Sequence, residues 1–324
     1  MIRKFVLQSM TFLIILIISL SSVQNPITSG YINELREDAI TVMNQKDPLY
    51  LEIDEKKDEY EIKAQDAVID KVWKAIPGYN GIEVDVEASY NNMQQLGEFQ
   101  EDGLVFNQIS PKVTLEDLDP APIYRGHPDK PMVSMMVNVA WGNEYLPDIL
   151  KVMKRHQVKA TFFLDGSWVK NNPKLAKMIV EEGHEVGNHA YSHPDMKTLS
   201  RGRILDEIIK TNEIIQATID RTPQWFAPPS GSYRQEVLEV AREHDLYTVL
   251  WTVDTIDWKK PEPQQMASRV VQKTEPGSLI LMHPTESTLH GLESMIEGIK
   301  DKGYMLGTVS EVLSETRITT IRQQ

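Results

Sequence analysis

His189 and His193 are two imidazoles four residues apart, directly after the strand-like run Glu185-Val186-Gly187. Neutral imidazoles at this spacing suit a divalent metal, and they equally suit hydrogen bonding at the rim of a fold. Further along, Asp254, Asp257, Trp258 and His283 stand at the ends of apolar runs. Carboxylates and imidazoles in such places either move protons or cap the loops they occupy. The chain contains no cysteine. That excludes thiol chemistry, disulfides and zinc ribbons, and leaves His, Asp and Glu as the ligands a metal would find.

The elements that must position these groups are apolar runs at 133–139, 160–164, 185–188, 224–227, 247–253, 278–282 and 304–309. They read as strands, with amphipathic helices such as 145–156 and 204–219 between them. Seven strands, each joined to the next by a helix, require parallel right-handed connections, and so a barrel or an open sheet. The pattern occupies under 200 residues. A complete eight-fold barrel takes roughly 250, so a shortened α/β barrel is expected. Loops that follow the strands of such a barrel share one face. That face would collect Ala140-Trp141-Gly142, Asp165-Gly166 and residues 189–193, 227–231, 254–258 and 283.

Residues 31–115 differ in texture. Helical spacing at 64–75 is broken by the turn Pro77-Gly78-Tyr79-Asn80-Gly81, and Ile82-Glu83-Val84-Asp85-Val86 alternates as a half-buried strand does. A small α+β module is expected there, then a Pro- and Asp-containing linker at 116–131 and the main domain at 132–314. The 324 residues are 41% hydrophobic and 25% charged, with a net charge of -13. This acidic balance makes nucleic acid an unsuitable partner. At the start, Arg3 and Lys4 precede residues 5–23, whose centre at 12–20 is apolar apart from Ser19. Residues 1–24 therefore read as a signal peptide or an uncleaved membrane anchor, which predicts an extracytoplasmic protein in the wall or tethered to the membrane.

Residues 132–314 resemble the polysaccharide deacetylase (NodB-homology) family of carbohydrate esterases. His189-Ala190-Tyr191-Ser192-His193 matches the family's H-[ST]-x-x-H motif, except that Ala190 replaces the hydroxyl residue. Asp254-Thr255-Ile256-Asp257-Trp258 matches D-x-x-D-W, and Leu281-Met282-His283 matches L-x-H. Ala227-Pro228-Pro229-Ser230-Gly231 falls on R-x-P-[YF]-G, and Asn138-Val139-Ala140-Trp141-Gly142 on T-F-D-D-G. The whole chain is similar to sporulation-associated members in endospore-forming bacteria. The resemblance implies a distorted (β/α)7 barrel that removes N-acetyl groups from a glycan such as peptidoglycan, with a divalent metal, zinc above others. It implies His189 and His193 as metal ligands and His283 as general acid, tuned by Asp257. Trp258 would wall the groove, Leu281 line the acetyl pocket, and the Ser230 backbone amide face the oxyanion.

The departures fall on the other half of that machinery. Ala140 stands where the family's base is, Trp141 where its metal carboxylate is, and Ala227 where the base's Arg partner is. Loss of the Arg together with its carboxylate is physically consistent, because a retained Arg would be a partly buried charge without a partner. Losing a general base alone typically costs about 10²–10⁴-fold in rate, and losing an anionic ligand weakens the metal. Asp165 or Glu144 are the candidates for a replacement third ligand. Trp141 either plugs the emptied metal pocket, the preferred expectation, or stacks on a sugar face. Two functions remain open: a deacetylase or related carbon–nitrogen hydrolase, and a non-catalytic wall-glycan binder or sporulation accessory.

Overall fold

The computed structural model describes residues 47–318, with Met10, residues 12–14 and Gly30 besides. The export segment otherwise lies outside the described residues. Among the described residues no helix is long and apolar enough to cross a membrane. In chain order the elements begin with α1 (Pro48–Lys56), β1 (Val68–Asp70), β2 (Lys74–Ile76), β3 (Gly81–Val84), α2 (Val86–Met93) and β4 (Phe106–Ile109). Then come β5 (Met132–Val139), α3 (Leu146–Arg155), β6 (Thr161–Leu164), α4 (Gly166–Asn171), α5 (Pro173–Glu181), β7 (Glu185–Asn188), α6 (Arg201–Ile219) and β8 (Trp225–Phe226). The chain continues with α7 (Gln235–Glu243), β9 (Tyr247–Thr248), β10 (Val253–Asp254), α8 (Pro263–Lys273), β11 (Leu279–Met282), α9 (Glu286–Asp301), β12 (Met305–Gly307) and α10 (Val309–Leu313).

The chain divides into two compact units. Of the described residues, the smaller takes 47–62 and Ile82–Asn107; the larger takes Lys63–Gly81 and 108–318. In the smaller unit Leu49 and Ile53 of α1 pack on Tyr90 and Met93 of α2, with Val84 and Leu104 closing the cluster. Asp85 caps α2 by accepting a hydrogen bond from the Ala88 amide at 2.9 Å.

The larger unit is a curled parallel sheet in the order β10-β11-β5-β6-β7-β8-β9, with β12 also paired to β5. This is the expected (β/α)7 architecture. β5 lies between β11 and β6 and is buried along its whole length, as a parallel strand covered on both faces must be. Its outward residues Val133, Met135, Val137 and Val139 pack with the helices around Leu146, Ile149, Leu292 and Ile296. Its inward residues Met132 and Met136 pack with Phe163, Trp225, Ala227, Val249 and Leu279 inside the curl.

Two expectations need correcting. The apolar run 247–253 is not one strand: β9 and β10 are separate and lie at opposite ends of the sheet order. Residues 116–131 are not a free linker, nor does 63–81 belong with the leading module. Ile123 is 1% exposed and packs among Ala75, Met136, Val249 and Val312. It bridges Lys74 on one side and Val249 on the other, and Arg125 bridges Ser278. The Ile123 amide donates to the Thr248 carbonyl at 2.9 Å, and the Leu250 amide donates to the Ile123 carbonyl at 2.8 Å. The segment therefore fills the seam between β9 and β10.

Candidate functional site at the strand ends

The inward side chains past the ends of β5, β6, β7 and β11 include Ala140, Asp165, His189 and His283. His189 follows β7, and its Nδ1–H donates to the Ala227 carbonyl at 2.7 Å. That bond fixes the tautomer and leaves Nε2 with the lone pair. Burial above all, helped by the neighbouring His193 and the more distant His283 and opposed by the Ala227 carbonyl, pushes the His189 pKa down to about 3. His189 is thus neutral at physiological pH. His193 is exposed, and its ring meets that of His189 edge-on, with centroids 5.1 Å apart.

The loop that carries the pair is conformationally costly, because Ala190 (φ 62°) and His193 (φ 55°) are both left-handed. Glu207 of α6, a residue the sequence reading passed over, holds it in place. One carboxylate oxygen accepts the Tyr191 amide at 2.9 Å and the Ser192 amide at 2.8 Å; the other accepts the Ser192 hydroxyl at 2.8 Å. A signal was present: Glu207 is the charged member of the buried helical stripe Ile204, Ile208, Thr211 and Ile215.

The Asp257–His283 pair is closely bonded. Asp257 is wholly buried, and one of its oxygens accepts the His283 Nδ1–H at 2.8 Å. The other accepts the His283 amide and the Thr288 hydroxyl, both at 2.6 Å. Thr288 also escaped the sequence reading, since a threonine inside a helix carries no distinguishing signal. Trp141 is 46% exposed, and its ring lies parallel to that of His283, 10° between planes and 5.7 Å between centroids. It therefore stacks on His283, half exposed, and does not fill an interior pocket. Trp258 is 54% exposed, with the Lys259 ammonium 4.9 Å above its ring, and Leu281 is buried. Ser230 adopts φ 55° in the turn Pro229–Gly231 and lines a depression with His193, Asp195 and Tyr233.

The ligand set does not fit a resident metal. Asp165 caps α4 through Oδ1, which accepts the Trp168 amide at 2.8 Å and the Ser167 hydroxyl at 2.5 Å. Burial raises its pKa, which those hydrogen bonds partly offset. Glu144 is exposed on the loop beyond Trp141. Among the described residues, the one set of three His, Asp or Glu whose ligand atoms lie within 4.8 Å of one another is His156, Glu293 and Glu297. In that set His156 and Arg155 are already paired with Glu293, on α3 and α9. Among the described residues no carboxylate forms with His189 and His193 a set whose ligand atoms all lie within 4.8 Å of one another.

A family model described as polysaccharide deacetylase matches residues 125–249. The Bacillus subtilis protein YlxY, itself uncharacterized, is 54% identical over 318 residues, which span 98% of this chain and 99% of that one. The peptidoglycan-N-acetylglucosamine deacetylase of Bacillus cereus is 35% identical over 179 residues, 54% of this chain and 65% of the relative. Among solved structures, wild-type BA3943 of Bacillus anthracis, a CE4 family pseudoenzyme, matches with a TM-score of 0.79 at 56% identity, over 84% of this chain and 97% of that chain. A mutant of BA3943 with restored enzymatic activity matches with a TM-score of 0.78 at 55% identity, over 83% of this chain and 99% of that one. Motifs, barrel and relatives agree, and the chain belongs to the polysaccharide deacetylase family, CE4.

Proposed function

We propose that this protein binds N-acetylated wall glycan, peptidoglycan above all, without hydrolysing it. One observation carries the reading. The positions that should supply a base and a metal carboxylate hold Ala140 and Trp141, and Trp141 lies flat against His283. The remaining groups can hold a glycan. Trp141 and Trp258 offer exposed ring faces of the kind that stack on sugars, and Leu281 supplies an apolar wall. His283, with Nδ1 tied to Asp257, retains Nε2 for a proton it could give to a leaving amine. Ala140, where the family's base stands, carries no group that could take a proton from water.

Zinc is the metal a deacetylase of this family would use to activate that water. Two imidazoles, His189 and His193, are the donors left for it here, and a site with no anionic ligand holds zinc weakly. The export segment supports an extracytoplasmic location, where peptidoglycan is found, and the same segment would serve as a tether if retained.

The test is acetate release from chitooligosaccharides and peptidoglycan with zinc or cobalt added. The native chain should release none, while binding glycan in a way that Trp258→Ala weakens. Combined Ala140→Asp, Trp141→Asp and Ala227→Arg should switch release on, as the restored BA3943 mutant encourages. Release by the native chain that disappears in His189→Ala would overturn this reading in favour of an enzyme.

A further inference from the structure

We propose that the outer wall of the barrel carries a zinc-binding site made of His156, Glu293 and Glu297, separate from the histidines at the strand ends. One ligand atom from each of the three side chains lies within 4.8 Å of the other two. The His156 Nε2 and a Glu293 carboxylate oxygen are already 3.0 Å apart. Tetrahedral zinc, with bonds of about 2.0–2.1 Å, sets its ligands roughly 3.3–3.4 Å from one another. An imidazole and two carboxylates are therefore close to the required spacing, and solvent supplies a fourth ligand.

Both helices hold their ligands out for this purpose. α3 ends at Arg155 with His156 as its C-cap, and the His156 amide donates to the Val152 carbonyl at 3.2 Å. The His156 side chain is 15% exposed, so its ring has little freedom to lose when it takes a metal. Glu293 and Glu297 stand one turn apart on the outward face of α9, whose inward face buries Leu292, Met295 and Ile296. Like charges at that spacing repel, and a divalent cation between them removes the repulsion.

The groups that compete with a metal are weakly held. The Arg155 guanidinium is 3.6 Å from Glu293, with the two side chains 61% and 49% exposed, and such surface pairs contribute little. Lys300, on the turn after Glu297, gives its ammonium to the His156 carbonyl at 2.9 Å. The imidazole favours zinc over magnesium and calcium, which take oxygen ligands. This set also has the anionic ligands that His189 and His193 lack, so the tighter zinc belongs on the wall. There it would pin α3, which follows β5, to α9, which leads into β12 beside β5.

The test is calorimetric titration of the metal-free full chain with zinc chloride, beside His156→Ala, Glu297→Gln and the double variant His189→Ala/His193→Ala. The native chain should take up one zinc in its tighter step. Each wall variant should weaken that step by at least about tenfold, since even the partners behind metal ligands typically cost about 10–100-fold. The double variant should leave it unchanged. Zinc should raise the melting temperature of the native chain and of the double variant, and leave that of His156→Ala where it was. No uptake by the native chain, uptake that survives in either wall variant, or uptake lost in the double variant would each overturn the assignment. Magnesium binding as tight as zinc would overturn it too, by showing a patch of surface charge in place of a site.

Discussion

Replacing Glu207 by Ala should destabilise the larger unit by about 3–5 kcal/mol. The carboxylate is 3% exposed and accepts three hydrogen bonds from the histidine loop, at 2.8–2.9 Å. Bonds to a charged acceptor contribute about 1.5–3 kcal/mol each. Ser192 is exposed, so its two donors turn to water when the carboxylate goes, while the Tyr191 amide is only half-exposed. That discount brings the sum to the range given. The ion pair to Arg203 adds little, because the Arg203 side chain is 55% exposed and such pairs contribute about 0–1 kcal/mol. Glu207→Gln keeps one acceptor oxygen and should cost about 1–2 kcal/mol. Urea unfolding at neutral pH of the two variants, with Arg203→Ala as control, gives the three values. Without the carboxylate the Tyr191–Ser192 turn loses three hydrogen bonds, while Ala190 keeps its bonds to Asn188 and Gly166, so the imidazole resonances of His193 should shift more than those of His189. A Glu207→Ala loss below about 1 kcal/mol, or one matched by Arg203→Ala, would refute the argument.

Two further outcomes follow from the geometry. Burial, with Lys159 nearby, pushes the His184 pKa from 6.5 down to about 4, and its Nδ1 accepts the Ala160 amide at 3.2 Å. A depressed folded value means the folded state binds fewer protons between those two values. Stability from neutral His184 is therefore full above about pH 6.5 and should be lost as the pH falls to about 4, by about 3 kcal/mol. His184→Asn, which can still accept from Ala160, should flatten this slope relative to wild type in pH-dependent denaturation; an unchanged slope would remove His184 as its source. At Gly142 (φ +83°) an added Cβ would lie 2.0 Å from the Pro284 carbonyl oxygen. Gly142→Ala should cost about 3 kcal/mol or more and move Trp141 off His283, read by indole fluorescence; retention of both the fluorescence and the melting temperature would contradict this.

The mouth of the barrel was legible because strand-ending residues are named by the periodicity that names the strands. His189, His193, Asp257 and His283 fell where seven apolar runs predicted, and the Asp257–His283 pairing is confirmed by two hydrogen bonds. What escaped depends on distant partners. A short apolar run such as 247–253 does not reveal that its two halves belong to opposite edges of the sheet, because each half satisfies the same pattern. The segment around Ile123 read as a linker from its prolines and aspartates, although its burial is decided by Val249 and Ser278, far along the chain. Asp165 behaved as an aspartate after a strand usually does, capping the next helix. Trp141 could have filled a hole or faced outward, and only the place of His283 decides between them.

The residues around Ile123 and Arg125 have a consequence for how this barrel can be handled. They occupy backbone donors and acceptors that a parallel sheet would otherwise present as naked edges, and naked edges recruit foreign strands. A fragment begun at Met132, where the regular alternation starts, would lack that cover and invite self-association. The transplantable cassette is the longer piece that includes both the 63–81 segment and the 108–131 stretch.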